Sequence, residues 1–347
     1  MKELKAAILG YGGIARSHKS GYDILEKEGF PIRLVALCDI DPNQFSSEQK
    51  ININSGESGK LTNLHFYTDV DDMLKNEDFD IVDICLPSYL HKEYAIRMMR
   101  AGKHVQSEKP MALSYADCLE MLAVAKECDK KITIGQCLHF EASYEFLKAC
   151  IDDRRFGNLR TLTLERLGSL PGWGFEGWYR DVKRSGGTPF DLHIHDIDMV
   201  NYVLGMPVAV SSIAIGNEVP LQYVNTRLFY NDNLAVTATA SWDESATAGF
   251  KMAYRARFDE ASLLYDGASV KICPNDGSQP YEAESTKDGQ RHDRMAEEIR
   301  TMALSVADHD FVNKVNTPEG AANSILITEK IVESANSGGK KVFLKEL

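Results

Sequence analysis

The chain has 347 residues, with 39 basic and 51 acidic side chains, a net charge of -12 and 44% hydrophobic residues. A single hydrophobic core stops growing at roughly 250–300 residues, so we expect two domains. The negative charge disfavours nucleic acid and anionic membrane surfaces as partners. The seven cysteines contain no CxxC pair, which argues against a disulfide framework or a structural zinc site.

The first residues of the chain and its apolar runs indicate the cellular compartment in which we expect the protein. The sequence enters a short apolar run directly, without a signal-type segment, and no later run approaches the ~20 apolar residues of a membrane span. We therefore expect a cytoplasmic protein whose cysteines are mostly small core residues in a reducing compartment.

The first 137 residues alternate short apolar strands with helical segments. Apolar runs predict strands at residues 4–9, 33–39, 65–67, 80–87, 103–108 and 130–137. Helical segments are predicted from about residue 14 and at 70–75, 94–100 and 115–128. This alternation predicts a parallel sheet wrapped by right-handed crossovers. The polar segment 46–63 is expected to form a surface excursion before the third strand.

From residue 160 onward the hydrophobic period becomes that of strands. Strand-like segments occupy residues 160–168, 209–216, 226–242 and 251–273, with hairpin turns expected at 231–233 and 266–267. Helices are predicted at 144–152, 291–306 and 318–335, the last with Thr317 as N-cap and proline at its first position. The second part of the chain should therefore be an α+β domain with a mainly antiparallel sheet.

A glycine motif joins the first strand to the first helix, where residues 10–15 read GYGGIA. Gly10 allows a tight turn, Gly12 lets the backbone approach a pyrophosphate, and Ala15 permits close packing of helix on strand. The helix N-terminus offers N–H groups to the anion. A plain glycine turn could carry the same string, but its place between strand and helix favours an α/β, Rossmann-type doubly wound domain.

Asp39 ends the second strand, where a carboxylate can accept hydrogen bonds from both hydroxyls of an adenosine ribose. The same charge would repel a 2′-phosphate, and no arginine follows within the next few residues. NAD is therefore favoured over NADP as cofactor. A carboxylate that only stabilises the DIDP turn is the alternative.

The loops after the fourth and fifth strands should lie at the rim where doubly wound sheets bind ligands. Pro87 and His91 are expected near the nicotinamide half of the cofactor, although a capping or packing role suits His91 equally well. Lys109 follows the fifth strand, and Pro110 stiffens its loop. A lysine there can hold a substrate hydroxyl oxygen and stabilise negative charge as hydride leaves, whereas most lysines simply extend into water.

Residues 191–202 read DLHIHDIDMVNY. If this segment is a helix, four of its polar side chains lie in one stripe along its surface. We interpret this stripe as one side of an active site. The stripe consists of Asp191, His195, Asp198 and Tyr202. Asp191 and His195, four residues apart, would pair as a carboxylate and a general base. His193 would then be a packed histidine on the buried side.

The HIH sequence at 193–195 also suggests the HxH of metallo-hydrolases. Such residues share a face on a strand, but on a helix they point roughly 160–200° apart. The segment is helix-like, and Ile197 stands where the HxHxDH motif needs aspartate. We therefore predict no metal.

Together these motifs resemble the Gfo/Idh/MocA oxidoreductases, a family that includes inositol and sugar dehydrogenases. The resemblance spans nearly the whole chain. It rests on GYGGIA, Asp39, the PxxxH of 87–91, AGKHVQSEKP at 101–110, SGGTPFDLHIHDID at 185–198 and the closing AANSILITEKIVESANSGGKKVFL. The most specific combination is EKP followed by the DxxxH of 191–195.

By that resemblance, Lys109, Asp191 and His195 match the catalytic residues. Residues 1–130 would form the NAD-binding Rossmann domain, and residues 131–347 would form the domain for substrate binding and oligomerisation. The open-faced sheet of this second domain implies a homodimer or homotetramer. The predicted cofactor contacts are Gly10, Gly12, Gly13, Ile14, Ala15, Asp39, Pro87, His91 and Glu108.

An aromatic, glycine-rich run, PGWGFEGWYRD at 171–181, precedes the histidines. Aromatic faces stack on sugar C–H surfaces and arginine can hold a carboxylate, so this run is predicted to line the substrate pocket. A packed crossover loop is an equal alternative. The predicted lining residues are Trp173, Trp178, Tyr179 and Arg180. His139 is a further candidate, at a position where many family members carry arginine.

The predicted reaction oxidises a secondary alcohol of a sugar, sugar acid or cyclitol. His195 would take the hydroxyl proton, Lys109 would bind the same oxygen, and Asp191 would fix the substrate and the charge state of both. Two other classes stay open: a redox-neutral glycosidase that uses NAD transiently, and a dinucleotide-sensing protein without turnover. The presence of Lys109 and His195 argues against the sensor.

Overall fold

The structure is a computed structural model that describes residues 2–46, 61, 63–216, 219–230, 233–283 and 292–344. The chain divides into two compact units, here called unit 1 and unit 2. Unit 1 comprises residues 1–112, 116–140 and 293–321, and unit 2 comprises 113–115, 141–292 and 322–347. Unit 1 thus continues past residue 130 and takes in a segment from late in the chain. Most of the predicted excursion at 46–63 and the turn residues 231 and 232 lie outside the described residues.

Unit 1 contains a six-stranded parallel sheet. Its strands are β1 Leu4–Leu9, β2 Ile32–Cys38, β3 His65–Tyr67, β4 Ile81–Ile84, β5 His104–Glu108 and β6 Ile132–Gly135. Their order, β3-β2-β1-β4-β5-β6, is that of a dinucleotide-binding doubly wound fold. The order reverses beside β1, so the loops after β1 and β4 face each other at the carboxyl edge of the sheet. The predicted fold class of this part is confirmed.

The helices begin and end close to where the sequence pattern places them. Those of the described residues are α1 Gly13–Lys27, α2 Val70–Asn76, α3 His91–Arg100, α4 Tyr115–Glu127, α5 Ala142–Asp152, α6 Val182–Ser185, α7 Ile194–Leu204, α8 Arg294–Ala307 and α9 Pro318–Asn336. Thr317 caps α9 as predicted, because its Oγ1 accepts the N–H of Gly320 at 3.1 Å. Helix α8 packs with α1 in the core of unit 1, where Ile299 and Met302 are buried beside Leu25.

Unit 2 is built around a nine-stranded, mainly antiparallel sheet. Its strands are β7 Leu159–Leu167, β8 Ala209–Ile215, β9 Tyr223–Phe229, β10 Ala235–Ser241, β11 Lys251–Phe258, β12 Ala261–Tyr265, β13 Val270–Pro274, β14 Tyr281–Glu282 and β15 Val342–Phe343. They pair in the order β14-β13-β12-β11-β7-β10-β9-β8-β15, and only the β7–β10 pair is parallel among the described residues. Alternate residues such as Leu162, Leu164 and Arg166 of β7 are buried while their neighbours are more exposed. One face therefore packs on helices, and the second predicted architecture is confirmed.

No helix in the described part of the chain is long and apolar enough to span a membrane.

Candidate active site

The glycine turn after β1 has a backbone geometry that only glycine adopts readily, and it borders open space. Gly10 has a φ of 86°, and a Cβ there would lie 2.8 Å from the carbonyl oxygen of Cys85. Any other residue would be strained and would clash with the loop after β4. At Gly12 a Cβ would meet no atom within 4 Å. Open space therefore lies at the start of α1, where helix N–H groups can receive an anion. Ala15 is fully buried, as close packing of helix on sheet requires.

Two backbone N–H groups hold the Asp39 carboxylate beside this turn. Tyr11 donates to Oδ2 at 2.7 Å, and Asp41 donates to Oδ1 at 2.9 Å. The second bond stabilises the local turn, as the alternative interpretation of Asp39 expects. Because a carboxylate oxygen has two lone pairs, each oxygen can still accept a ribose hydroxyl. The two interpretations of Asp39 are therefore compatible.

His91 joins the loops that follow β4 and β5. His91 is 1% exposed, with Nδ1 lying 2.7 Å from the carbonyl oxygen of Pro110 and Nε2 lying 2.8 Å from that of Leu86. Burial lowers the pKa of His91 below its ordinary value. Both nitrogens thus face the protein backbone, which favours the packing role. Pro87, by contrast, is partly exposed at the rim.

Glu108 and the adjacent Lys109 differ in exposure at the end of β5. The Glu108 carboxylate is 7% exposed, and its Oε2 accepts the backbone N–H of Lys109 at 3.1 Å. The Lys109 side chain is partly exposed, and the peptide bond to Pro110 is cis. Lys109 directly follows the carboxyl end of β5 and so lies on the rim that carries the glycine turn. A direct contact between Glu108 and the cofactor stays a prediction.

A buried ionic cluster lies beneath this rim. His18 of α1 places Nδ1 2.8 Å from Asp83 Oδ2 and Nε2 2.8 Å from Glu108 Oε1. Burial alone would lower the pKa of His18, but the neighbouring Asp83 and Cys85 raise it well above its ordinary value. Burial likewise opposes ionisation of Glu108, yet the hydrogen bond and charge of His18 keep its pKa below the ordinary range. The imidazole is therefore positively charged and donates to both carboxylates.

The same cluster contains the one close group of metal-type ligands in the described part of the chain. The ligand atoms of His18, Asp83 and Cys85 lie within 4.8 Å of one another, and all three residues are buried. Both nitrogens of His18 are already engaged by carboxylate oxygens. Charge-assisted hydrogen bonds therefore account for this arrangement without a metal.

Glu298 of α8 adds a third carboxyl group to the cluster. It is 1% exposed, and its Oε1 accepts a hydrogen bond from Gln106 Nε2 at 2.9 Å. Burial, aided by the charges of Glu108 and Asp83, raises the pKa of Glu298 to about 8, although His18 opposes the shift. Glu298 is therefore neutral near pH 7. No local motif indicated this residue in the sequence, because its neighbours come from β5 and α1.

The raised pKa of Glu298 predicts a stabilising substitution. Below its ordinary pKa of 4.5 both the folded and unfolded chains hold this proton, and its contribution to stability is lost as the pH rises to about 8. Glu298→Gln cannot ionise and should avoid this loss. We expect its free energy of unfolding to exceed that of the unchanged protein at alkaline pH by at least about 1.4 kcal/mol, the equivalent of a single pKa unit.

Urea denaturation at acidic and alkaline pH measures this difference. The exposed Glu319→Gln on α9 is the control, and its pH dependence should match that of the unchanged protein. A Glu298→Gln advantage that stayed constant between the two pH values would contradict the assignment of a neutral Glu298.

In unit 2, the predicted helix at 191–202 begins as a π-helical turn. Residues Pro189–His193 form this turn, and α7 continues from Ile194. A π turn is wider than an α turn, so Asp191 and His195 do not have the regular i, i+4 geometry that the sequence suggested. Asp191 is 7% exposed and His195 is partly exposed. The pairing of these two side chains stays a prediction.

The prediction that Asp198 belongs to a four-residue polar stripe facing the active site is wrong. Asp198 is buried and accepts a hydrogen bond from Ser324 Oγ of α9 at 2.8 Å. Further along, the Tyr202 ring lies 4.7 Å from Lys148 Nζ of α5, and burial raises its pKa to about 12. Helical spacing alone could not show that another helix would cover this side of α7.

His193 is the packed histidine that the sequence predicts. It is fully buried, and its Nε2 lies 2.9 Å from Thr226 Oγ1 of β9. Burial, reinforced by the charge of Arg166, lowers the pKa of His193 to about 3. The ring is therefore neutral, which leaves His195 as the imidazole of this segment that reaches solvent.

A buried ion pair, missed in the sequence, fixes the first turn of α7. Arg166 Nε and Nη2 of β7 donate to Asp196 Oδ2 and Oδ1 at 3.1 Å and 2.8 Å. Both side chains are almost completely buried. A bidentate pair of this kind allows little rotation, so it holds the backbone next to His195 against the sheet.

The aromatic run at 171–181 forms a compact surface loop in unit 2. Trp178 is 8% exposed and stacks on Tyr179 with ring centroids 4.0 Å apart, and Trp173 meets Tyr179 edge-on at 6.2 Å. Tyr179 and Trp173 are partly exposed, and Arg180 is exposed. Trp178 is therefore packed, as the crossover-loop alternative expects, and a role of this loop in the substrate pocket stays a prediction. His139, in unit 1, is 6% exposed.

Family models and related proteins agree with this arrangement. The model of the oxidoreductase family with an NAD-binding Rossmann fold, GFO_IDH_MocA, matches residues 4–136. The model of the GFO/IDH/MocA C-terminal domain matches residues 133–268. The two models together cover well over half of the chain.

The chain belongs to the Gfo/Idh/MocA oxidoreductase family.

Among family relatives, the chain is 30% identical to 2,7-anhydro-N-acetylneuraminate hydratase of Mediterraneibacter gnavus over 67% of this chain and 60% of that protein. It is 29% identical to D-glucoside 3-dehydrogenase of Escherichia coli over 60% of this chain and 56% of that protein. The matches thus span less than two thirds of the relatives' own length.

Solved structures show the same Gfo/Idh/MocA fold over almost the entire chain. Aldose-aldose oxidoreductase from Caulobacter crescentus superposes with a TM-score of 0.83 and 22% identity, covering 99% of this chain and 100% of that one. Levoglucosan dehydrogenase, in complex with NADH and levoglucosan, gives 0.80 and 18%, with the same coverage of the two chains. At these identities the likeness establishes the fold alone.

Proposed function

We propose that this Gfo/Idh/MocA protein is an NAD-dependent oxidoreductase acting on a secondary alcohol of a sugar, sugar acid or cyclitol. Lys109 carries the proposal. Its partly exposed side chain leaves the end of β5 at the carboxyl edge of the parallel sheet, the edge that also bears the glycine turn and Asp39. Relatives named D-glucoside 3-dehydrogenase and inositol 2-dehydrogenase support the substrate class.

When bound, the nicotinamide ring would accept the hydride of the substrate carbon. Lys109 donates a hydrogen bond from Nζ to the reacting oxygen and stabilises the negative charge that develops there. His195 takes the hydroxyl proton as general base, and Asp191 orients the substrate and the imidazole. The reaction then balances. The carbon that bears the hydroxyl group loses its hydride to NAD+, the hydroxyl group loses its proton to His195, and the alcohol becomes a ketone.

Cofactor binding is assigned to the turn after β1 and to the end of β2. The pyrophosphate would lie at Gly12 and Gly13, against the N–H groups of Ile14 and Ala15, and Asp39 would accept the ribose hydroxyls. NAD is preferred over NADP because a 2′-phosphate would meet the negative charge of Asp39. Pro87 is assigned to the nicotinamide side of the same rim. His91 and Glu108 are assigned to supporting that rim, because the His91 nitrogens and the Glu108 oxygens contact the protein itself.

Because the space at Gly12 is open, a larger residue there should weaken NAD+ binding without reducing the stability of the fold. Gly12→Val places its Cβ where no protein atom lies within 4 Å, and the φ of Gly12 is -81°, which other residues adopt readily. We expect an unchanged melting temperature but at least about tenfold weaker NAD+ binding, a loss of about 1.4 kcal/mol. Tryptophan fluorescence titration measures the affinity.

Gly29→Val is the matched control, since a Cβ at Gly29 also meets open space at the far end of α1. It should leave NAD+ affinity unchanged, although its φ of 71° costs stability. If Gly12→Val bound NAD+ as tightly as the unchanged protein, the proposal that the dinucleotide binds at this turn would be wrong.

Substrate contacts are assigned to residues of the aromatic loop, with His139 as a further candidate. Trp173 and Tyr179 offer accessible ring faces for sugar C–H groups, and Arg180 offers a cation for an acidic group. Trp178 supports Tyr179 by stacking.

The assembly is proposed to be a homodimer or homotetramer formed through the sheet of unit 2. Exposed apolar side chains on this sheet, including Ile213, Ile215 and Phe343, support such an interface. A cytoplasmic location is proposed because all seven cysteines are free thiols, which fits a reducing compartment.

A redox-neutral reaction is the second candidate. One relative is named a hydratase, and addition of water involves no net change in NAD. A glycosidase that uses NAD transiently belongs to the same class, and a sensor without turnover is the third possibility.

The first experiment separates these candidates. NADH absorbance is followed with NAD+ or NADP+ and a panel of inositols, aldoses, sugar acids and glycosides. An NAD+-dependent rise that Lys109→Met and His195→Ala both abolish supports the dehydrogenase. Consumption of a glycoside or anhydrosugar without NADH points to redox-neutral chemistry, and NAD+ binding with no conversion at all points to the sensor.

A further inference from the structure

The buried ionic cluster of unit 1 takes no direct part in the proposed reaction. A charged imidazole and two carboxylates are costly to bury, and they persist only when each is fully paired. His18 meets this condition with contacts of 2.8 Å to both Asp83 and Glu108. Tyr22 adds a hydrogen bond from its hydroxyl to Asp83 Oδ2 at 3.3 Å. The cluster therefore holds Glu108 in a single orientation.

Glu108 transmits this constraint to the neighbouring backbone. One oxygen, Oε1, faces His18, and the other, Oε2, accepts the N–H of Lys109. On the far side of Lys109, the carbonyl oxygen of Pro110 lies 2.7 Å from His91 Nδ1. The backbone that carries Lys109 is thus held at the residue itself and again one residue later. Such double anchoring is what a side chain needs in order to leave the sheet at a constant position.

We propose that Glu108, locked by the buried His18–Asp83 pair, is the positioning residue that fixes Lys109 for the reaction. This inference rests on the proposed function, because it assumes that Lys109 binds the reacting oxygen. Glu108 acts through the Lys109 backbone and His18 acts through Glu108. A displacement of about 1 Å at a catalytic group can lower a rate by about 100-fold, so loss of this anchor should be visible in kcat.

Glu108→Ala and Glu108→Gln test the proposal as a pair. Alanine removes both hydrogen bonds and leaves His18 Nε2 without its acceptor, while His18 Nδ1 stays paired with Asp83. A loss of stability is therefore expected beside the loss of rate, and it is measured separately. Glutamine keeps an oxygen for the Lys109 N–H. Its amide N–H can donate to His18 Nε2 once that nitrogen has given up its proton, while His18 Nδ1–H still donates to Asp83. We expect Glu108→Ala to lower kcat by about 10- to 100-fold, with NAD+ affinity within about threefold, less than about 0.7 kcal/mol. Glu108→Gln should recover most of the lost kcat.

Gln106→Ala is the matched control. Gln106 lies two residues earlier on β5 and is fully buried, and its side-chain amide donates to Glu298 of α8, a bond that alanine removes. Its kcat should stay within about threefold of the unchanged protein, less than about 0.7 kcal/mol of activation free energy. Denaturation curves for each variant show whether a lost rate merely follows a lost stability.

Two double variants test whether Glu108 acts through Lys109 and whether His18 acts through Glu108. In a Lys109→Ala background, Glu108→Ala should cause no further loss of residual activity, because its target is already absent. His18→Gln should lower kcat alone but add nothing to Glu108→Ala, since His18 acts through Glu108.

Equal kcat values for Glu108→Ala and Gln106→Ala would overturn the proposal, as would multiplicative losses in the double variants. A Lys109→Ala protein with full activity would instead overturn the assignment of Lys109 in the proposed function. The two failures are therefore distinguishable in one set of assays.

Discussion

Lys109→Met is expected to lower kcat by about 100- to 1000-fold, the usual cost of removing one donor to a developing oxyanion. Methionine keeps the apolar stem of the side chain and removes only the amine. The backbone N–H of Lys109 donates to the Glu108 carboxylate, and this bond does not depend on the side chain at position 109. The substitution should therefore leave the fold unaffected. NAD+ affinity should stay within about threefold, or about 0.7 kcal/mol. Steady-state kinetics with the substrate that the panel identifies measure kcat.

Lys131→Met is the control for the loss of a positive charge. Lys131 is exposed just before β6 and should leave both kcat and NAD+ affinity unchanged. A Lys109→Met enzyme that kept its kcat but showed a raised KM would contradict a role in stabilising charge. Lys109 would then contribute only uniform binding.

Arg166→Met should lower the free energy of unfolding by about 3–5 kcal/mol, because it leaves the Asp196 carboxylate buried without its partner. The pair is bidentate, at 2.8 Å and 3.1 Å, and almost completely buried. Burial already raises the pKa of Asp196 against the opposing charge of Arg166, so removal of Arg166 should favour a protonated Asp196. Urea denaturation gives the unfolding free energy.

Two further variants show whether the unpaired charge causes this loss. Arg166→Met combined with Asp196→Leu removes both charges and should recover most of the stability. Lys251→Met breaks the exposed Lys251–Glu165 pair next to Arg166 on β7, and such pairs contribute about 0–1 kcal/mol. If the double variant were no more stable than Arg166→Met, lost packing rather than the unpaired carboxylate would be responsible.

Local chemistry explains why much of the fold was predictable. The strand at 4–9 agrees with the observed β1, and the helices predicted at 70–75 and 318–335 agree with the structure to within one residue at each end. Hydrophobic period, glycine and caps such as Thr317 act over a few residues, so they are visible in the chain itself. The turn at 266–267 is confirmed for the same reason, since Gly267 has a φ of 99°.

The candidate site was predictable only in part. Gly10, Asp39 and Lys109 follow strands, so the topology of a parallel sheet places them at one edge. The π turn at Pro189–His193 was not predictable, because the pattern of apolar residues fits an α-helix equally well. Asp198 was misassigned because the polar face of a helix can be covered by another helix, here α9.

The sequence by itself determined the order of strands and helices, the glycine turn and the residues that end each strand, because these depend on neighbours in the chain. Only the tertiary structure decided which charges meet. His18 and Glu108 are 90 residues apart and Gln106 and Glu298 are 192 apart. Buried charges are stable only beside suitable partners, and the packing of strands and helices brings those partners together. That packing explains why Glu108 faces the core while Lys109, the next residue, reaches the rim.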